Sequence, residues 1–218
     1  MNLDTESACS EAFSRLGVSL VFLEFPGQYV SLQPTSELLH HQPPSMAVMT
    51  KEGIWVGYRY FATAGKNVSY PFGYGLGYTT FGYSKPVVKV AKDGTVTASI
   101  TVTNTGSFAG KEAVQLYVTA PDGGLVKPAC ELRAFAKTGE LKPGESQTLT
   151  LTVDPYTLAS FNEETSAWET AAGAYTAHFG ASVADIRATA PFKLAKAASW
   201  PAHRVMLPAK PIEEIKVK

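Results

Sequence analysis

Few residues of this sequence have the type and spacing that catalysis or metal binding requires. Glu163 and Glu164 form an adjacent acidic pair. Neighbouring side chains on an extended chain point in opposite directions, so this pair favours a solvated loop over an acid/base pair. His40 and His41 lack a second group of ligands, which favours a polar loop over a metal site. His178 lies on the polar side of an alternating segment, where a polar contact is expected. The sequence predicts no catalytic, cofactor-binding or metal-binding residue.

A glycine-rich run between Gly73 and Gly77 has a superficial likeness to a phosphate-binding loop. It lacks the helix, the lysine and the glycine spacing that aim backbone N–H groups at a phosphate. The sequence therefore predicts that no cofactor is bound there.

The overall charge excludes two classes of partner. The chain has 218 residues, with 19 basic and 19 acidic residues and a net charge of zero. Such a chain has no long-range field to attract nucleic acid or an anionic membrane, so neither partner is expected.

Asp4, Glu6 and Glu11 replace the cationic start of a signal peptide, and no signal peptide or membrane span is predicted. Two reduced thiols, Cys9 and Cys130, are favoured over a disulfide.

Alternating apolar residues predict an all-β fold. In Thr95–Thr103, the apolar side chains occupy every second position and form one face of a half-buried strand. The same alternation returns in four later segments, which are separated by turn residues such as Asp93-Gly94 and Pro143-Gly144. About seven short strands without helical periodicity between them predict an immunoglobulin-like or fibronectin type III-like β-sandwich.

The segment Glu52–Phe81 combines many aromatic residues with many glycines. Large flat side chains beside residues that permit positive φ indicate a segment that winds over another surface and is anchored there by its rings. This segment resembles the connector of glycoside hydrolase family 3, in which an EG-aromatic-VGYR run and a YPFGYGLSYTTF run precede a fibronectin type III-like domain. Gly77 stands where the family usually has Ser.

The resemblance extends over three further motifs in the same order: Val102–Val118, Pro128–Val153 and Phe161–Arg187. It implies four segments. Residues 1–49 are atypical and irregular, 50–80 form the connector, 81–195 form the fibronectin type III-like domain, and 196–218 form a C-terminal tail. Because residues 1–49 match no family pattern, we expect a truncated fragment whose start is a frameshifted, rearranged or mispredicted remnant.

The resembled enzymes are retaining β-glycosidases, whose two carboxylates lie in a barrel domain and an α/β domain. Neither domain fits within this chain, so the chain is expected not to be an enzyme. The resemblance implies a non-catalytic module of a β-glucosidase-like or β-xylosidase-like hydrolase that packs against the catalytic domains and stabilises them. The family is often periplasmic or secreted in bacteria, but the sequence leaves the localisation of this chain open. The residues expected in the inter-domain packing are Trp55, Tyr58, Arg59, Tyr60, Phe61, Tyr70, Phe72, Tyr74 and Tyr78.

The alternative is an independent carbohydrate-binding or adhesive module, with an oligosaccharide at an edge of the sandwich as its partner. That role requires exposed aromatic side chains away from the connector. In the sequence, large aromatic residues outside the connector are few and mostly fall on apolar faces, which favours the first interpretation.

Overall fold

The computed structural model describes residues 18–19, 33–34, 52–203 and 217. The chain divides into two compact units, residues 1–51 and 52–218. In the first unit, β1 (Val18–Ser19) pairs antiparallel with β2 (Gln33–Pro34). Most of the segment expected to be irregular or a remnant, residues 1–49, lies outside the described residues, as do Cys9, His40 and His41.

The second unit begins with the connector, which contains one short helix. The helix α1 (Tyr58–Thr63) follows Gly57, whose φ of 59° begins the helix without a side-chain cap. None of its six residues is buried. A helix this short gains little from its own hydrogen bonds, so its contacts with the rest of the chain must hold it in place.

The first large sheet is built around β5 (Val96–Asn104). One edge of β5 pairs with β3 (Phe81–Tyr83) and then with β4 (Val87–Val90), and the other edge pairs with β8 (Ser146–Val153). All these pairings are antiparallel. Because β3 and β4 follow one another along the same edge, they fill a single strand position.

The break between β3 and β4 falls at residues 84–86. Ser84 still bonds to β5 there, since its N–H donates to the Thr101 carbonyl and its Oγ accepts the Thr101 N–H. Two residues later, Pro86 has no N–H to donate. This edge therefore consists of two short pieces instead of one continuous strand.

The second large sheet has the order β12–β11–β6–β7 and is antiparallel throughout. Its strands are β6 (Ala113–Thr119), β7 (Glu131–Lys137), β11 (Gly173–Ser182) and β12 (Asp185–Leu194). Together with the three strand positions of the first sheet, these four give the seven-strand sandwich that the sequence predicted.

The core lies between the two large sheets. In β5 every second residue is buried, from Val96 to Asn104, and the alternation predicted from the sequence is confirmed. In β6 five consecutive residues are buried, so this strand is covered on both faces. The apolar residues buried in the core cluster are Val96, Ala98, Ile100, Val102, Val114, Leu116, Val118, Leu149, Leu151, Val153, Leu158, Tyr175, Ala177, Phe179, Phe192 and Leu194.

Asn104, at the end of β5, connects the loops at one end of the sandwich. Its Oδ1 accepts hydrogen bonds from Thr79 Oγ1 at 2.7 Å and from the Gly106 N–H at 3.0 Å. Its Nδ2 donates to the carbonyls of Phe108 at 2.7 Å and Leu141 at 2.8 Å. This fully buried amide thus has all of its donors and acceptors paired, as a buried polar group requires.

A third, small antiparallel sheet has the order β13–β10–β9. It consists of β9 (Ser160–Asn162), β10 (Ala167–Thr170) and β13 (Ala198–Pro201). The segment expected to be the C-terminal tail, residues 196–218, therefore contributes a paired strand at its start. Residues 204–216 and 218 lie outside the described part of the chain.

Candidate functional site

The connector is attached to the outer face of the second large sheet by stacked rings. The rings of Tyr58 and Phe72 stack with their centroids 4.4 Å apart, and the Tyr58 ring meets Tyr117 of β6 edge-on at 6.0 Å. The Tyr58 hydroxyl accepts a hydrogen bond from the Leu132 N–H at 2.9 Å. The Phe72 carbonyl accepts one from the Val183 N–H at 3.0 Å. Two of the predicted packing residues thus pack against the sandwich of this chain itself.

A buried glutamine on β6 holds the connector loop in place. The Gln115 Nε2 donates to the carbonyls of Gly73 at 3.0 Å and Ala181 at 2.6 Å, while its Oε1 accepts from the Tyr117 hydroxyl at 2.6 Å. Burial raises the pKa of the Tyr117 phenol, so the phenol stays protonated and donates at physiological pH. One amide therefore joins the connector, β6 and the end of β11.

Gly73 is required by the close approach of this loop to the sheet. Its φ is +81°, and a Cβ added there would lie 1.9 Å from Gln115 Oε1. Gly65 also has a positive φ, +60°, but a Cβ added there would have no atom within 4 Å. At Gly77, where the resembled family has Ser, an added Cβ would lie 3.7 Å from the Thr79 carbonyl oxygen, so a side chain fits there.

Arg59 attaches α1 to the start of β7. Its Nε lies 3.1 Å from Glu131 Oε1, and Arg133 binds the other oxygen of the same carboxylate. The Arg133 Nη1 also donates to the Thr157 carbonyl at 2.5 Å. Because the Arg59 side chain is 39% exposed, its ion pair stabilises the fold by at most about 1 kcal/mol. The bridge orients the helix more than it stabilises the protein.

The opposite side of the connector carries exposed apolar side chains. Tyr78 is 95% exposed, Leu76 89% and Tyr70 75%, and the Tyr70 ring lies 5.6 Å from that of Tyr74. Of the other predicted residues, Trp55 is buried, and Tyr60 and Phe61 are half-buried. We call the exposed set the connector face, which consists of Ile54, Val56, Tyr70, Tyr74, Leu76 and Tyr78; Phe72, which stacks on Tyr58, is not part of it.

The charged residues of the family-like motifs are engaged in structural contacts. Arg187 lies 3.1 Å from Glu112 and 2.8 Å from Asp185, and its guanidinium lies over the Tyr83 ring at 5.0 Å. The Tyr83 hydroxyl donates to Glu112 at 2.9 Å. Burial, followed by the Glu112 charge, raises the pKa of Tyr83, which keeps this phenol protonated. These groups connect β3, the residue before β6, and β12.

The acidic pair and the histidine that the sequence offered as candidate site residues lie in an exposed turn and in a polar contact between strands. Glu163 and Glu164 lie exposed in the turn between β9 and β10. His178 makes the predicted polar contact, since its Nε2 lies 2.9 Å from Thr119 Oγ1. Burial lowers the pKa of His178, so the ring is neutral near pH 7.

Neither a metal-binding cluster nor a membrane-spanning helix is found among the described residues. Among them, no three His, Cys, Asp or Glu side chains come together in a way that could hold a metal ion. Within the same residues, no helix is both long enough and apolar enough to cross a bilayer.

The third sheet carries an aromatic cluster that was not predicted from the sequence. Phe161, Trp168 and Trp200 lie directly opposite one another on β9, β10 and β13. The Tyr156 ring contacts both tryptophans, at 5.8 Å from Trp168 and 5.4 Å from Trp200, and Phe161 lies 5.5 Å from Trp168. Trp168 is 37% exposed and Tyr156 50%. We call these four residues the third-sheet cluster.

Comparison with known proteins agrees with the fold. Residues 112–183 match the family model of the fibronectin type III-like domain. A β-glucosidase of Thermotoga neapolitana, solved in complex with glucose, is 42% identical with a TM-score of 0.65, over 68% of this chain and 20% of that one. A β-glucosidase of Bacteroides ovatus is 40% identical over 66% of this chain and 19% of its own length. An exo-α-(1→6)-L-arabinopyranosidase of Bifidobacterium longum is 43% identical over 63% of this chain and 18% of its own length.

This chain spans about a fifth of the length of the curated relatives that it matches. The fold, the matched domain and the relatives agree on which part of those enzymes it resembles. The chain carries a fibronectin type III-like domain and corresponds, with its connector, to the C-terminal region of β-glucosidases of glycoside hydrolase family 3.

Proposed function

We propose that this chain is a non-catalytic module that packs against the catalytic part of a family 3 glycoside hydrolase and stabilises it. The observation that carries the proposal is the connector face. Several large apolar side chains between Ile54 and Tyr78 stay exposed on a segment whose other side is bonded to the sandwich. Exposed apolar surface of this kind is typical of a surface that another protein domain covers.

The attachment of the connector supports this role. Rings and hydrogen bonds hold α1 and the Phe72–Gly73 backbone on the second sheet before any partner is present. A surface that is already ordered loses less conformational entropy when a partner covers it. More of the favourable free energy of burying its apolar side chains therefore stabilises the complex. The connector is therefore suited to form a pre-ordered contact surface between the sandwich and a catalytic domain.

The relatives support the identity of the partner. The enzymes that this chain is similar to include β-glucosidases and an arabinopyranosidase, in which the matched region is about a fifth of the protein. We expect the partner to be the rest of such an enzyme, and we expect any hydrolysis to depend on carboxylates of that partner.

A chimera tests the proposal. Residues 52–203 of this chain replace the matching region of the Thermotoga neapolitana β-glucosidase, and thermal unfolding and glucoside hydrolysis are measured. The double substitution Leu76→Ser with Tyr78→Ser should lower the unfolding temperature of the chimera by several degrees, because it removes apolar contacts at the interface. In the isolated chain the same side chains are almost fully exposed, so the double substitution should leave the unfolding temperature unchanged.

The matched control is Phe135→Ser on β7, which is 74% exposed and lies outside the connector. It should have no effect on the chimera or on the isolated chain. Equal effects of the connector substitutions in the two contexts would show that the connector face is not covered by the enzyme, and would refute the proposal.

A further inference from the structure

We propose that the third-sheet cluster is a binding site for short β-linked oligosaccharides. The cluster shares no residue with the connector face and is formed by other elements, namely β9, β10, β13 and the turn before β9. The inference therefore goes beyond the proposed function, since it concerns a second surface and a small-molecule partner.

Two rings of the cluster, those of Tyr156 and Trp168, are exposed, while those of Phe161 and Trp200 are half-buried. Tyr117 and Tyr175, which pack in the interior, are 0% and 2% exposed. In contrast, Tyr156 is 50% exposed and Trp168 is 37% exposed. An aromatic residue that only filled the interior would lose this exposure, because each ring carries a large apolar area. The exposure leaves ring surface available to a ligand.

The rings are also ordered in advance. Tyr156 contacts Trp168 and Trp200, so each ring restrains its neighbours. The turn that presents Tyr156 is closed by Asp154, whose carboxylate accepts from the Thr157 N–H and hydroxyl, each at 2.8 Å. Side chains that are already fixed lose little rotamer freedom on binding, which favours affinity.

The composition of the cluster favours a sugar over a protein partner. The connector face includes aliphatic side chains such as Ile54, Val56 and Leu76, whereas all four members of the third-sheet cluster are aromatic. A β-linked glucose unit has its substituents in equatorial positions, and its C–H groups therefore form two apolar faces that stack on aromatic rings. The indole N–H and the phenol O–H add hydrogen-bond donors for the sugar hydroxyls.

The spacing and angles of the rings limit the length and shape of the ligand. Phe161, Trp168 and Trp200 lie on adjacent strands and together span roughly 10 Å, which is about the length of a disaccharide. The rings are inclined, at 60° between Phe161 and Trp168 and 88° between Tyr156 and Trp200. An uneven surface of this kind suits a short twisted chain in solution better than a flat crystalline one.

Titration of the full chain tests the inference. Cellotetraose and laminaritetraose serve as β-linked probes and maltotetraose as the α-linked control, with calorimetry and tryptophan fluorescence as readouts. We expect weak binding of a β-linked probe, with a Kd of about 1 mM or lower, and weaker or no binding of maltotetraose. Trp200→Ala should weaken the binding at least about fivefold, as expected when one of the aromatic contacts is truncated.

The variants separate binding from folding. Trp168→Phe keeps a ring and should retain most of the affinity, whereas Trp168→Ala should lose it; Tyr156→Ala, in the turn, serves if a strand variant fails to fold. Phe135→Ala removes an exposed ring elsewhere and should bind like the unmodified chain. The connector variant Leu76→Ser with Tyr78→Ser should also keep its sugar affinity, so this proposal and the proposed function can fail independently.

The inference is overturned if neither β-linked probe binds, or if folded Trp200→Ala and Tyr156→Ala bind as tightly as the unmodified chain. Equal affinity for maltotetraose would also overturn it, because the assignment depends on the equatorial linkage that leaves both faces of each β-linked sugar ring free to stack.

Discussion

Replacing Gln115 by alanine should be among the most damaging changes to a single polar side chain in the sandwich. The substitution leaves the carbonyls of Gly73 and Ala181 and the hydroxyl of Tyr117 without their amide partner. Each of these three hydrogen bonds contributes about 1 kcal/mol net, so the loss is about 3 kcal/mol, and more if the carbonyls remain buried from water. The result should appear as a lower urea midpoint with an unchanged slope.

The matched control is Gln147→Ala on β8. The Gln147 Oε1 accepts one exposed hydrogen bond, from the Gly139 N–H at 2.8 Å, so its loss should cost less than about 1 kcal/mol. Gln115→Glu is a second test, because it keeps the shape but turns two donated bonds into contacts between oxygens. It should destabilise the fold at least as much as alanine does.

Hydrogen exchange locates the effect of the Gln115 variants. The Val183 N–H, which donates to the Phe72 carbonyl, should exchange faster in Gln115→Ala than in the unmodified chain, because the connector loop is released from the sheet. If Gln115→Ala costs no more than Gln147→Ala, the amide does not hold the connector and the reasoning is wrong.

Two further predictions concern Gly73 and Asp154. Gly73→Ala should cost several kcal/mol in urea unfolding, because its Cβ would clash with Gln115, whereas Gly65→Ala should cost only about 1 kcal/mol for the strained φ; similar losses would contradict the close approach. The Thr157 N–H, and then the Thr157 hydroxyl, hold the pKa of Asp154 below its usual value, so these bonds stabilise the fold above the unfolded pKa and are lost as the pH falls through the folded pKa. Thermal unfolding should therefore show Asp154→Asn to be less stable at pH 7, with the difference shrinking below about pH 4, and a difference that does not change with pH would contradict this.

The sandwich could be predicted from the sequence because its strands are half-buried. In β5 and β8, one face packs on the core and the other faces solvent, so burial alternates along the chain. This period of two can be recognised without knowing what the strand packs against. The turn at Asp93-Gly94 could be predicted for the same local reason, since Gly94 has a φ of +89° and Asp93 bonds to the Thr95 N–H.

The double burial of β6 could not be predicted in this way. Gln115 and Tyr117 occupy positions that the alternation assigns to the solvent side, yet both are buried. Phe72, which lies over this side, is more than forty residues earlier in the sequence, so no local pattern reveals it. The helix α1 was missed because six residues are too few to show a helical period.

The division of roles within the connector also needed three-dimensional information. The sequence grouped nine residues as a packing set, but composition does not distinguish the rings that face the sandwich from those that face away. The structure places Tyr58 against the sheet and leaves Tyr70 and Tyr78 exposed. The third-sheet cluster was missed for a related reason, since its residues are spread from Tyr156 to Trp200 and meet only when β13 pairs with β10.

The broken edge of the first sheet has a consequence for the behaviour of this chain in solution. A continuous edge strand presents a row of unpaired N–H and C=O groups that can recruit a strand from another copy. Here the edge is divided into three and four residues, with Pro86 lacking a donor beside β4. Strand-to-strand aggregation through this edge is therefore disfavoured, because neither short piece offers a long row of free backbone groups.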